Sequence, residues 1–365
     1  MIAFYRGAGH LPEMNGKKRS AMTIWLQHAL NVMRKPSLRL ASRVLFPRIL
    51  FIHVDQSVMC PSSIRRLTQV ILPVLLVLEL AGGASAQDLE PRAFSPAPVG
   101  LNILSIGYGY SSGNVFFDQA LPIEDATGRL HIVTAGYLRT MSLFGLSAKL
   151  GAVLPFGGGD WEGLVTGEHA STSRLGFGDP AVILAMSFVG APALKPEQFR
   201  TYREGLVAGA SAMAVVPLGQ YNPDKLINLG SNRWAFRTRL GVSHRVGRWV
   251  LETIGEVWFF TRNQEAYGDV WISQDPLVAG QFNVIYQTPG GLWVGGGYGY
   301  GEGGRTTVSG QEKNTRQVNK RFGGTLVIPI NLRNGLKLVY FNSLSSLIGA
   351  EFDRVELSWR VLLGR

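Results

Sequence analysis

The segment Gly299-Tyr300-Gly301-Glu302-Gly303-Gly304 has the G-x-G-x-x-G spacing of a dinucleotide phosphate cradle. A cradle works only where a helix N-terminus aims its amides at the phosphate. Here the chain continues Arg305-Thr306-Thr307-Val308-Ser309-Gly310, which is not a helical run, so the glycines read as a strand end entering a loop. His131, His169 and His244 stand on separate segments, without the HExxH or carboxylate spacing of a metal site. A serine hydrolase set in a barrel wall needs Ser and His on neighbouring strands facing lipid, and no hydrolase signature accompanies these histidines. The sequence therefore predicts no catalytic centre, no metal and no cofactor. What remains is polar chemistry at every second position of otherwise apolar segments. Lys149, Arg237, Arg239, Glu252, Glu256, Gln281, Asn283, Arg321, Lys337, Arg354, Glu356 and Arg360 are the candidates for a polar lining.

Alternating polarity of this kind is the mark of half-buried strands, and helical periodicity is nearly absent. Twelve segments carry it: 100–111, 129–142, 145–156, 178–190, 203–217, 234–246, 249–261, 275–287, 292–302, 319–330, 335–343 and 352–363. In the last, Val355, Leu357, Trp359, Val361 and Leu363 alternate with Arg354, Glu356, Ser358, Arg360 and Leu362. A soluble sandwich alternates too, so the connections have to decide. Those after odd segments run long, whereas most after even segments are tight, as at Gly247-Arg248 and Thr288-Pro289-Gly290-Gly291; 191–202 is the exception. An even strand number with long loops on one rim and short turns on the other predicts an all-β, antiparallel outer-membrane barrel of about twelve strands, with both termini periplasmic. Tyr108, Tyr110, Trp234, Phe236, Trp249, Phe259, Tyr298, Tyr300 and Trp359 fall near strand ends, where aromatic girdles belong.

In the hairpin 234–261 the apolar parity is Trp234, Phe236, Leu240, Val242, then Trp249, Leu251, Val257, Phe259, which turns Arg237, Arg239, Arg245, Glu252 and Glu256 inward. Folding about Val246-Gly247 brings Arg237 or Arg239 opposite Glu256. A twelve-stranded bore lies between a filled eight-stranded barrel and a wide sixteen-stranded porin. Its charges either line a narrow path or pair across it as filling. Passive conduction of a small solute is the first reading. A structural or partner-binding barrel is the second, and an outer-membrane lipid-modifying enzyme the third.

Composition agrees with a globular or membrane chain: 46% hydrophobic and 17% charged. The net charge of +11 divides unevenly, +9 over residues 1–66 against +3 over 87–365, so the body has no basic excess for a nucleic-acid partner. Arg65-Arg66, the apolar run Leu67 to Leu80 and Ala84-Ser85-Ala86 form a secretory signal cleaved after Ala86. The run is short and holds Pro73 and Glu79, whereas a spanning helix needs about 20 apolar residues. Residues 1–58 are an N-terminal extension, either untranslated ahead of a start at Met59 or a cytosolic segment. Residues 59–86 are the signal, 87–99 a Pro-rich periplasmic lead-in and 100–365 the barrel. Cys60, the sole cysteine, leaves with the signal, so Gln87–Arg365 has no thiol for a disulfide or nucleophile.

Five strings stand in order at predicted loop–strand junctions. They are Gly176-Phe177-Gly178-Asp179-Pro180, Pro217-Leu218-Gly219-Gln220-Tyr221-Asn222, Asn228-Leu229-Gly230-Ser231-Asn232-Arg233-Trp234, Gln274-Asp275-Pro276, and Gly303-Gly304-Arg305-Thr306 with Gly310. In physical terms they are turn chemistry, Pro fixing φ where a strand can spare a donor. Together they resemble the meta-pathway phenol-degradation family of outer-membrane transporter barrels. The resemblance implies outer-membrane location and a part in uptake of aromatic or hydrophobic compounds. Membrane lipid, a small-molecule solute and, during insertion, the barrel-assembly machinery are then the partners. The chain ends Leu363-Gly364-Arg365, without the terminal aromatic often read by that machinery. Asn232 and Arg233, beside Trp234, are candidates for touching a solute, and Arg305 for folding inward to constrict the bore.

Overall fold

A computed structural model describes residues 90–115, 123–345 and 350–363; the expected signal segment, its expected cleavage site and residues 1–58 lie outside the described residues. In chain order come β1 (Asn102–Val115), β2 (Ile123–Leu143), β3 (Leu146–Val165), β4 (Glu168–Phe177) and β5 (Ala181–Pro192). A single helical turn, α1 (Pro196–Phe199), precedes β6 (Leu206–Val215), β7 (Ala235–Val246), β8 (Trp249–Phe260), β9 (Asn263–Ala266) and β10 (Val270–Gln274). Then follow β11 (Leu277–Gln287), β12 (Trp293–Gly303), β13 (Thr306–Val308), β14 (Gln311–Glu312), β15 (Gln317–Pro329), β16 (Asn334–Ser345) and β17 (Ala350–Leu363).

Each wall strand pairs antiparallel with both neighbours in the cyclic order β1-β2-β3-β5-β6-β7-β8-β11-β12-β15-β16-β17, and β1 pairs with β17 from Asn102↔Leu363 to Val115↔Ala350. The twelve-stranded barrel is thereby closed. Closure removes the sheet edges, the condition for a strand structure in lipid. Outward positions are apolar and open: Ile106 is 51% exposed, Leu240 67% and Leu357 51%. An apolar belt of this extent needs a bilayer around it.

The short connections join β2 to β3, β7 to β8, β11 to β12 and β15 to β16 at one rim. The turn Phe144-Gly145 has both φ values positive, +52° and +77°, and Thr166-Gly167 repeats this at +51° and +83°; that pattern matches the right-handed twist of the strands it joins. The β5–β6 connection is long and carries α1.

Three predicted loops hold strands. Residues 157–177 continue β3 to Val165 and return as β4, which pairs with the far half of β3 (Phe156↔Phe177 to Val165↔Glu168). Segments 262–274 and 303–318 hold β9, β10, β13 and β14, a separate four-stranded sheet. The outer part of β4 is polar, as with His169, Ser171 and Ser173, and β9, β10, β13 and β14 are only 2 to 5 residues long, so the sustained apolar alternation that marks a spanning strand is missing. The Gly-x-Gly string lies at the end of β12, where inward Gly297 leaves room for the Asn283 side chain.

Candidate functional site: a bore with a seated N-terminal segment

The inward faces of β7, β8 and β11 stack into layers. Nearest the short-turn rim Val250, Ile285, Trp293 and Val327 form a buried apolar cluster. At the long-loop end Ala235, Trp258 and Leu277 form another, with Met213, Val215 and Phe260 against it. Between them lies a charged layer. Arg239 faces Glu256 in register, its Nε donating to Oε2 at 2.6 Å, and Arg237 Nη1 lies 3.9 Å from the same carboxylate. Trp258 Nε1 donates to Glu256 Oε1 at 3.1 Å, and Asn283 Nδ2 to Glu252 Oε1 at 3.0 Å.

The remaining candidates sit on the same inward parity. Arg321 places its guanidinium 5.5 Å from the Phe352 ring, and Arg354 lies over Phe341 at 5.8 Å while bonding Glu356 at 3.0 Å. Lys337 is registered with Val327 and Ser358. Arg360 lies towards the short-turn mouth beside Gly335 and is more open. Gln281 is 6% exposed and Asn283 0%.

Residues 90–94 lie in this bore, and 95–99 connect them to β1 along the short-turn rim, where the Val99 amide donates to the Leu194 carbonyl. Glu90 accepts from Arg239 Nη1 at 2.6 Å. The Arg92 amide donates to Glu252 Oε1 at 2.9 Å, and its side chain reaches Gln287, Ser95 and Glu204, the last also held by Arg245. Arg92 has φ +65°, a left-handed conformation that a non-glycine residue keeps only when its surroundings over-determine it. Lys149 Nζ donates to the Ala93 carbonyl at 3.2 Å, and Thr140 Oγ1 to that of Pro98 at 2.6 Å. Burial raises the Glu90 carboxyl, but Arg239, Lys337 and Arg237 outweigh it and hold it down at about 2, against an ordinary 4.5.

Among the described residues, several buried polar atoms at this level have no hydrogen-bond partner: Glu252 Oε2, Gln281 Nε2 and Asn283 Oδ1. Interiors leave few such atoms.

The five strings meet at the long-loop rim. Asp179 Oδ1 accepts from the Gly219 amide at 2.9 Å, and Oδ2 from the Ser231 amide at 2.8 Å and hydroxyl at 2.5 Å. Gly230 lies against Gly219, where a Cβ would come within 2.7 Å of the Gly219 carbonyl. Gly178 bonds Pro155, and Val216 bonds Pro180, so Pro180 and Pro217 flank a wall junction. The Gly176 backbone abuts the Gln220 side chain. Tyr221 donates to the Glu265 carbonyl, Asn232 to Asn263, Arg233 to Gln274, Gln274 to the Gly304 carbonyl, and the Asp275 amide to Arg305. Pro276 accepts from Gly304. The strings are one connected frame. Trp234 stacks on Phe236 outside it, while Arg233 also lies 4.7 Å over the Phe260 ring at the bore's mouth. Arg305 does not constrict the bore: it pairs with Glu312 at 3.0 Å, the nearest opposite charge on its own small sheet.

His131 is registered beside Tyr110 and Gly158, and His244 beside Leu206 and Leu251, so neither has a serine across from it on a neighbouring strand. Among the described residues no group of three His, Cys, Asp or Glu could hold a metal.

Residues 119–343 match the family model described as "Putative MetA-pathway of phenol degradation". The chain belongs to this family. Comparison with curated proteins finds no match. Among solved structures, the COG4313 outer membrane channel from Pseudomonas putida F1 is 20% identical, with a TM-score of 0.65 over 76% of this chain and 100% of the other. It has the same fold. The β-domain of the Bordetella autotransporter BrkA is 10% identical, with a TM-score of 0.42 over 72% of this chain and 99% of that one. The CymD monoaromatic hydrocarbon channel is 8% identical, with a TM-score of 0.37 over 78% and 95%. The family frame and the bore together make an outer-membrane type barrel whose polar lining is engaged by its own N-terminal segment.

The sequence reading missed Glu90, Arg92, Phe94, Glu204 and Gln287. A signal was present: Glu90-Pro91-Arg92-Ala93-Phe94 puts two opposite charges and a ring directly before the first strand, ready to meet a mixed-charge bore.

Proposed function

We propose that the chain is a passive outer-membrane channel for small aromatic or hydrophobic solutes, exported by a signal cleaved after Ala86, with its short-turn rim in the periplasm. One observation carries the reading. Arg239, Glu252, Lys149 and Gln287 bond to a segment held in the bore by non-covalent contacts, so withdrawing residues 90–95 exposes a charged passage through a closed wall. Membership of a phenol-degradation family supports the solute class. Diffusion down a gradient needs no cofactor. Arg233, at the mouth over Phe260, is placed to meet a solute first.

The wall-to-wall pairs Arg239–Glu256 and Arg354–Glu356 favour a second reading, a filled structural barrel. Uptake of labelled phenol by a deletion strain and by the strain expressing residues 59–365 separates the two. Barrel-dependent uptake that is lost when Gln281 and Asn283 are both replaced by Trp supports the channel. Equal uptake with and without the barrel, its insertion verified, supports the structural reading.

A further inference from the structure

Phe94 is 2% exposed although it belongs to the seated segment and not to the wall. Its ring lies against Gly209 of β6 and Gly241 of β7, which are direct register partners. Two glycines side by side on an inward face remove two side chains and leave a flat recess about one ring across. A Cβ on Gly209 would come within 2.6 Å of the Phe94 ring, and one on Gly241 closer still. Ile254 borders the recess, its Cγ1 3.2 Å from where a Gly241 Cβ would stand. At its edge Ser187 Oγ donates to the Phe94 carbonyl at 3.3 Å and Lys149 Nζ to that of Ala93 at 3.2 Å. A preformed apolar slot with a few convergent donors is how small-ligand sites are built.

We propose that this recess is the ring-binding site of the bore, taking a monocyclic phenol whose ring replaces that of Phe94, with Ser187 and Lys149, released from the segment's carbonyls, as the nearest donors. The inference rests on the channel reading above. Phe94 then acts as a tethered competitor, and a solute that binds the recess unseats the segment. A ligand whose site is open only a fraction of the time binds with its affinity reduced by that fraction.

The test is a titration of phenol against the protein in lipid nanodiscs, read by saturation-transfer NMR with empty nanodiscs subtracted, beside phenol uptake by cells. With Phe94 seated nine-tenths of the time, Phe94→Ala tightens the apparent Kd about tenfold. Gly241→Val and Gly209→Ala each weaken or abolish saturable binding while heat-modifiable gel mobility reports a folded barrel. Should Gly241→Val fail to fold, Gly209→Ala and Phe94→Ala decide alone. Equal phenol affinity in wild type, Phe94→Ala and Gly209→Ala overturns the proposal. Uptake without saturable binding also overturns it and leaves the channel reading standing. Recess-dependent binding without barrel-dependent uptake supports the site and overturns the channel reading.

Discussion

Arg239 stands between two carboxylates, one on the wall and one on the seated segment, and is 2% exposed. Removing one partner of such a cluster leaves a charge in a place that water reaches poorly, which costs more than the pair contributes. Glu90→Gln therefore loosens the segment without disturbing Glu256, and its single-channel conductance in a planar bilayer should exceed that of wild type. Arg239→Gln should raise conductance too, and the double variant should add little to either, because both changes break one bond. The pH dependence follows from the depressed carboxyl. Glu90 titrates at about 2 when seated and near 4.5 when free, so its contribution to seating is complete above 4.5 and is lost as the pH falls towards 2. The cations facing it are Arg237 and Arg239 on β7, Lys337 on β16 and Lys149 on β3. Conductance should stay flat from pH 8 to 5 and rise below about 4; a rise centred near neutrality would assign the seating to another group.

The elements divide into a wall that alternates and a rim that does not. On β17, Leu357 points to lipid and Ser358 to the bore. Leu357→Arg should cost about 2–4 kcal/mol of refolding stability in lipid and Ser358→Arg close to nothing; equal costs in urea titrations would reverse the parity. At the rim, Asp179 holds the Gly219 and Ser231 amides together. Asp179→Ala strands both donors at a cost on the order of 2 kcal/mol, and should open residues 218–233 to limited proteolysis with the barrel intact. The wall was legible because period-2 alternation is a local property; counting back through the turn left Arg237 or Arg239 opposite Glu256, and the register selects Arg239. β4 and the four-stranded sheet were not, since the outer part of β4 is polar on both faces and the strands of the small sheet are too short to show a period.

At the scale of the whole molecule, parity names inward charges but not what they bond to. Glu90, Arg92, Ala93 and Phe94 bond to β3, β5, β7, β8 and β11 at sequence separations of 56 to 195 residues, and no local pattern carries such contacts. The seated segment ties together the linings of β3, β7, β8 and β11. Its withdrawal is the claim on which the channel reading depends. The measurement that tests it most directly compares single-channel conductance of residues 87–365 with that of a chain beginning at Ser95, both reconstituted in the same bilayer. A several-fold larger conductance without residues 87–94 is the result predicted. Equal conductance in the two, with both barrels folded, would contradict the account.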